Sequence, residues 1–328
     1  MNNAKIIASG WYAPSRIVDN QYFNEILGED VDTWLREKVQ IYERRWCPDE
    51  ESVADLAEQA IRQAIDHAGI RPDQVDLLII ATDTPEFISP STASVIQDRL
   101  HLTNAGTFDL NTACAGFVTA LDVGSKYIQA DNQYNNVVVA GVYAMSKYLD
   151  LHDKKTVTLF ADGAGAVVLR RCDEGEGMIG SKLTTQGQFN EWMGIYYGAT
   201  KHPITREALE HNDQKLKFVK KIPPEINPDT WTHMLSELLA KHGLKPTEVD
   251  HYFFTQININ TIFETMDRLQ VPREKAATIM HHYGYTGSAC LPMAFGQWMD
   301  AGKVKKGQIV AFIGSGGGLA FGVSLYKM

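Results

Sequence analysis

The amino-acid sequence predicts an α/β protein built from two copies of one strand–helix unit, and three observations carry that prediction. The apolar runs Leu77-Leu78-Ile79-Ile80, Val137-Val138-Val139-Ala140 and Ile309-Val310-Ala311-Phe312 are short, rich in β-branched residues and bounded by Asp, Asn or Gly. Apolarity that is continuous rather than alternating suits strands buried on both faces. Between them lie helical patterns, Val53 to Ala68 and Trp231 to His242, each followed by a glycine suited to a C-cap, Gly69 and Gly243. Strand and helix therefore alternate, which favours layered α/β packing.

The third observation is an internal repeat. Gly69-Ile70-Arg71-Pro72-Asp73-Gln74-Val75-Asp76 reads against Gly243-Leu244-Lys245-Pro246-Thr247-Glu248-Val249-Asp250, 174 residues later, with Gly, Pro, Val and Asp identical. An apolar strand follows each copy, Leu77 to Ile80 and Tyr252 to Phe254. The same offset pairs Val137-Val138-Val139 with Ala311-Phe312-Ile313 and sets Cys114 opposite Ser288. The period is too long for a solenoid, so a duplicated unit is expected.

Size and charge narrow the function classes. A chain of 328 residues accommodates about two domains of roughly 150 residues each. A formal charge of −9 argues against a general nucleic-acid binder and against docking on an anionic membrane, both of which need a net basic face. The first residues, Met1 to Gly10, lack a basic head and apolar stretch of secretory type, and no segment approaches the roughly 18 apolar residues of a membrane span. A cytoplasmic location is expected. Cys47, Cys114, Cys172 and Cys290 are far apart and form no CxxC pair, so neither a disulfide framework nor a zinc site is indicated.

From about Gly180 to Pro228 periodicity is weak, and an aromatic group, Trp192 to Tyr197, and the pair Pro223-Pro224 suggest a linker or lid rather than core. Lys215, Lys217, Lys220 and Lys221 crowd together there. They read either as a solvated face or as a contact for a phosphate or an acidic carrier protein.

Cys114 is the residue with the strongest chemical promise. A free cysteine is by default a buried apolar residue. Here Thr107 to Leu110 reads as a strand and Gly116 to Tyr127 as a helix, so the thiol falls at a strand-to-helix turn. A helix N-terminus at that place favours a thiolate and lowers its pKa. Ala113, Ala115 and Gly116 leave room for backbone and substrate, so the thiolate could attack a thioester while backbone N–H groups take up the oxyanion charge. Two glycine-rich elements lack the spacing of nucleotide loops. Gly314 to Gly322 reads as a close-approach turn running into a strand, and Phe160 to Ala166 as a tight structural turn.

Taken together, these residues resemble the β-ketoacyl-acyl-carrier-protein synthase III family of the thiolase superfamily over nearly the whole chain. The ordered matches are Ile41-Tyr42-Glu43-Arg44-Arg45, Ala113-Cys114-Ala115-Gly116-Phe117, Phe160-Ala161-Asp162-Gly163-Ala164-Gly165-Ala166, Tyr283-Gly284-Tyr285-Thr286-Gly287-Ser288-Ala289 and Ser315-Gly316-Gly317-Gly318. The resemblance implies a thiolase-like α/β fold of duplicated αβαβα halves in five layers. Residues 1–173 would form the half with the cysteine, and 174–328 the half with a variable insertion at about 180–228. It further implies a homodimer, no cofactor, and a coenzyme A or phosphopantetheine thioester as substrate, carried in part by acyl carrier protein. Cys114 would accept the acyl group, with an oxyanion hole from the N–H groups of Cys114 and Gly317. Trp34 would stack on adenine, Lys38 and Lys154 would meet coenzyme A phosphates, and Asn258 would lie near the pantetheine arm.

The sequence departs from the family where condensation is catalysed. Thr255 stands at the place of the catalytic histidine and Tyr285 at that of the catalytic asparagine, while Asn260 replaces an arginine used in carrier docking. His281 and His282 precede Tyr283 and are by default surface or core residues; His282 is the first candidate to substitute for the missing base. Acyl loading onto Cys114 needs a thiolate and an oxyanion hole, whereas decarboxylative condensation also needs the missing pair. The expected function is an acyltransferase of the synthase III type that loads Cys114 and passes the acyl group to a second acceptor, either a malonyl thioester by decarboxylative Claisen condensation, as in fatty acid or polyketide metabolism, or an alcohol, amine or thiol. Loading is the better supported of the two half-reactions. The alternatives are a non-condensing transacylase or thioesterase, and a partner subunit of a heteromeric ketosynthase.

Overall fold

Runs that are apolar on both faces become the inner strands of two mixed five-stranded sheets. The computed structural model describes residues 2–173 and 175–328. The first sheet contains β1 (Asn3–Tyr12), β2 (Leu77–Ala81), β3 (Gly106–Leu110), β4 (Asn136–Ala144) and β5 (Asp162–Cys172), in the order β1-β5-β4-β2-β3. The second contains β6 (Gly177–Thr185), β7 (His251–Phe254), β8 (Ala276–Ala277), β9 (Ile309–Gly316) and β10 (Ala320–Lys327), in the order β6-β10-β9-β7-β8. Each strand of the first sheet thus has a counterpart at the same place in the second. Pairing senses match as well: β4-β2-β3 and β9-β7-β8 are parallel, and the remaining pairs antiparallel.

Helices packed on the two sheets complete five layers: α1 (Val53–Ala68), α2 (Thr92–Arg99), α3 (Gly116–Ala130), α4 (Ile226–Lys241), α5 (Ile259–Arg268) and α6 (Cys290–Asp300). Alternate residues of β2 serve different layers. Leu78 and Ile80 pack with α1 and α2 on the outer face, while Leu77 and Ile79 join Phe117, Leu291 and Phe312 in the central layer of α3 and α6. On the far side, Trp231, Leu235 and Leu238 of α4 and Ile262 and Met266 of α5 cover Tyr252, Phe254, Ala311 and Ile313. Gly69 and Gly243 end α1 and α4 in the left-handed region, with φ of 62° and 67°, as helix-terminating glycines do. Helix α4 begins earlier than the sequence pattern indicates, because Pro228 is tolerated in a first turn that needs no N–H partner. Among the described residues no helix is long and apolar enough to cross a membrane.

The stretch from Gly180 is not uniform. Its first residues belong to β6, at the edge of the second sheet, and its last to α4. What lies between carries a short ribbon, Met193–Gly194 paired with Lys217–Phe218, that covers the mouth of the site described below.

Where the halves of the fold meet, backbone lies against backbone. A Cβ on Gly141 would sit 2.1 Å from Ser288 O, one on Gly165 would sit 2.6 Å from Met293 N, and one on Gly316 would sit 2.6 Å from Cys114 N. Phe160 to Ala166 is therefore not a tight turn: from Asp162 on it is strand β5, and its glycines let α6 settle on the sheet. Asp162 supports this from below, its buried carboxylate accepting from Cys47 N at 2.7 Å and Ser146 N at 2.8 Å. Gly316→Ala is expected to lower stability by about 1–3 kcal/mol through overpacking, whereas Gly187→Ala, with open space around its Cα, should change it by less than about 0.5 kcal/mol. Urea denaturation of the two variants checks the contrast.

Candidate active site

The loops that follow β2, β3 and β4 leave the same edge of the first sheet, the carboxyl ends of its parallel strands, where α/β sheets place their sites. After β3, Asn111 Oδ1 accepts from Ala113 N at 2.9 Å and turns the chain, so that Ala113 takes φ 47° in the left-handed region. Gly116 N then donates to Ala113 O at 2.8 Å, and α3 begins. Cys114 is thereby set between a left-handed residue and a helix start. The second copy repeats the geometry: Gly287 has φ 49°, and the following Ser288 donates its buried hydroxyl to Val142 O at 2.8 Å. One copy holds a thiol at this turn, and the other a serine spent on packing.

Cys114 lies at the base of a cavity of about 260 Å³, lined also by Asp83, Asn111, Tyr143, Tyr196 and Gly317. The residue is 2% exposed. Burial pushes the thiol well above its usual pKa, and the nearby Asp83 carboxylate adds to the effect, while hydrogen bonds from the Tyr285 and Tyr143 hydroxyls favour the thiolate. The lowering expected from the helix N-terminus is thus outweighed by desolvation. Burial likewise raises Cys47 and Cys290 to about 12, which makes them inert thiols of the core. Asp83 is pushed up to about 6 by burial, and its Oδ1 has no hydrogen-bond partner.

Tyr285 is fixed by its own backbone. Its N–H donates to Leu159 O and its carbonyl accepts from Ala161 N, both at 2.9 Å. The preceding Gly284 has φ 65°, and a Cβ there would lie 2.6 Å from Cβ of Arg44, a fully buried cation. Arg44 in turn donates to Thr158 O at 2.7 Å, Asn20 Oδ1 at 2.8 Å and Val18 O at 3.2 Å, tying the hairpin of Arg16–Asp19 and Glu43–Trp46 to this loop.

Thr255 ends up elsewhere. Its Oγ1 accepts from Ser315 N at 3.0 Å and donates to Ser315 O at 3.3 Å, so the hydroxyl joins β7 to β9 and does not line the cavity. His282 is also outside it: the side chain is 64% exposed, with Nδ1 3.6 Å from Glu43 Oε1. The fold carries that short helix to the surface, and His281 stacks on Tyr42 and contacts Gln40 O. Neither histidine is placed to serve Cys114.

A second cavity of about 600 Å³, termed the outer cavity for the exposed Trp34 on its wall, shares no lining residue with the first and is lined by Trp34, Lys155, Lys220, Lys221, Ile257 and Asn258, among others. Trp34, 51% exposed, and Asn258 thus stand on the wall of one cavity. Lys38 and Lys154 do not line it. Lys154 is held by both Glu29 oxygens at 2.9 Å, and Lys155 beside it faces the cavity instead. The lysine cluster divides: Lys215 donates to Lys147 O, whereas Lys220 and Lys221 border the cavity. Asp83 and Tyr143 were missed in the sequence. The signal available was their position just beyond β2 and at the end of β4, at strand ends that a parallel sheet brings together.

The comparisons agree with this geometry. The family models for 3-oxoacyl-[acyl-carrier-protein] synthase III and for its C-terminal domain match residues 108–187 and 239–328. The β-ketoacyl-[acyl-carrier-protein] synthase III of Clostridium perfringens is 34% identical over 335 residues, covering 100% of both chains. That of Staphylococcus haemolyticus is 32% identical, covering 99% of each. The solved structure of 3-oxoacyl-[acyl-carrier-protein] synthase III from Aquifex aeolicus is 30% identical and superposes with a TM-score of 0.90 over 99% of this chain and 100% of that one. With the duplicated five-layer fold, the cysteine turn and full-length similarity in hand, the chain belongs to the β-ketoacyl-acyl-carrier-protein synthase III family of thiolase-like proteins.

Proposed function

We propose that the protein takes an acyl group from a coenzyme A or carrier-protein thioester onto Cys114 and delivers it to a malonyl-type thioester acceptor. The observation that carries this reading is Cys114 at a helix start after the left-handed Ala113, on the wall of a cavity it shares with Gly317, with its backbone packed against Gly316. Sγ would bond to the thioester carbonyl carbon, the bond to the pantetheine sulfur would break, and the N–H groups of Cys114 and Gly317 would receive the oxyanion. The outer cavity suits the rest of such a substrate: Trp34 offers a face for a base, Asn258 borders the path of an amide-bearing arm, and Lys155, Lys220 and Lys221 offer charge for phosphates. A homodimer belongs to the same reading, and Phe87 and Ile88, 52% and 84% exposed on the loop between β2 and α2, support a protein-covered surface there.

Condensation here would rely on different donors from those of the wider family. Thr255 has its hydroxyl committed to Ser315, so donors such as the hydroxyls of Tyr285 and Tyr143, which neighbour the Cys114 thiol, would have to serve instead. Loss of one oxyanion donor typically costs about 10²–10³ in rate, so loading is expected to outrun carbon–carbon bond formation. That imbalance favours, as second reading, a transacylase that passes the acyl group to another nucleophile.

Single-turnover mass spectrometry with a panel of acyl-CoAs should show one acyl mass on Cys114 and none on Cys114→Ala; no gain with any chain length overturns the proposal. Adding malonyl carrier protein and measuring released CO₂ separates the two readings, since acylation without CO₂ assigns the transacylase. Steady-state rates of His282→Ala are expected within about twofold of wild type, as for a surface residue remote from the chemistry. Replacing both Lys220 and Lys221 by Ala should raise KM for acyl-CoA by about fivefold at low salt, equivalent to about 1 kcal/mol, and leave short thioesters lacking the nucleotide unaffected.

A further inference from the structure

Asp83 is held in place by its neighbours and left without a structural task of its own. Thr84 N donates to Thr82 Oγ1 at 3.0 Å, and Ala144 N donates to Thr84 Oγ1 at 2.9 Å, which pins the loop after β2 to the end of β4. The carboxylate between them faces the Cys114 cavity with Oδ1 buried and unpartnered. Its titratable neighbours are Cys114, Tyr143, Tyr148 and Tyr285, with Tyr196 on the same cavity wall, and among the described residues no cation lines that cavity. Nor does any histidine. In this half-buried carboxylate an oxygen shut off from solvent without a partner is costly, and a threonine or asparagine would fill the same space without that cost.

We propose that Asp83 is the proton acceptor for acyl loading on Cys114, the part that a histidine plays for other cysteine nucleophiles. The inference rests on the acyl-accepting function proposed above. As Sγ bonds to the thioester carbonyl carbon, the thiol proton moves to the Asp83 carboxylate. When the bond to the pantetheine sulfur breaks, that proton leaves with the departing thiol and Asp83 is again ionised. Ionising the thiol alone beside Asp83 would put two negative charges into a buried cavity without a cation. Moving the proton between them keeps the charge of the cavity at one throughout, which is the cheaper course in a medium that solvates ions poorly.

Two signatures follow. With a carboxyl that titrates at about 6, loading should rise with pH through 6 and then level off, because the ionised carboxylate is the acceptor. Without it, the rate should follow the thiolate fraction and climb about tenfold per pH unit across the neutral range. Stability should move the other way. The folded carboxyl titrates above the unfolded value of 3.8, so stability falls as pH rises from there through about 6, and the penalty is present in full at pH 7. Asp83→Asn removes it.

The test is single-turnover acylation by acyl-CoA from about pH 5 to pH 9 for wild type, Asp83→Asn and Asp83→Ser, with Tm measured for each. Expected is a loss of at least about tenfold in loading rate at pH 7, replacement of the plateau by a continuous rise, and a Tm unchanged or raised. Variants that load at the wild-type rate, or are slowed equally at every pH with the plateau kept, overturn the proposal, as does a fall in Tm for both. A wild-type chain that never gains the acyl mass overturns the function proposed above, and this inference with it.

Discussion

The site depends on how closely two stretches of backbone approach where β9 passes the turn that holds Cys114. A Cβ on Gly316 would lie within 3 Å of Cys114 N, Thr112 O and Ala115 N, and one on Gly314 would lie 3.2 Å from Cα of Ala115. No side chain can separate the two segments. The amide of Cys114 is therefore placed by the second sheet as much as by the first, and Gly317 follows directly into the same cavity. The pseudo-symmetric contact, Gly141 against Ser288 O, locks the other turn in the same manner. Duplication thus supplies two facing helix starts, and glycine allows them to meet.

What surrounds the thiol is unusual in its charge. Tyrosine hydroxyls approach it, a carboxylate shares its cavity, and the cations of the neighbourhood stay in the outer cavity with Lys155, Lys220 and Lys221. Desolvation then dominates, and a helix N-terminus alone does not offset it. The inner cavity holds neutral donors around a thiol that must lose its proton to react, and the outer cavity carries the charge suited to phosphates. In the proposed reaction, binding and bond making are thus separated in space and in electrostatics.

The architecture was legible because it rests on local patterns that repeat. Continuous β-branched runs with both faces apolar can only be inner strands, and Gly69 and Gly243 close equivalent helices. The offset of 174 residues then matches β2 with β7 and Cys114 with Ser288. Trp34 and Asn258 could be paired from the resemblance, and they line one cavity. Lys38 and Lys154 were named from the resemblance and His282 from its nearness to Tyr283 in the chain, neither of which fixes side-chain direction: Lys154 turns to Glu29, and His282 to Glu43 at the surface.

The sequence by itself determined the layers, the duplication and the turn that carries Cys114, because periodicity, capping and small residues act over a few neighbours. Only the tertiary structure decided which groups surround that thiol. Asp83, Tyr143 and Tyr285 come from the end of β2, the end of β4 and a loop clamped by Leu159 and Ala161, segments as much as 202 residues apart that meet because parallel strands bring their carboxyl ends together. The direction in which the thiol's proton affinity moves was likewise a matter of burial, and burial is a property of the assembled fold.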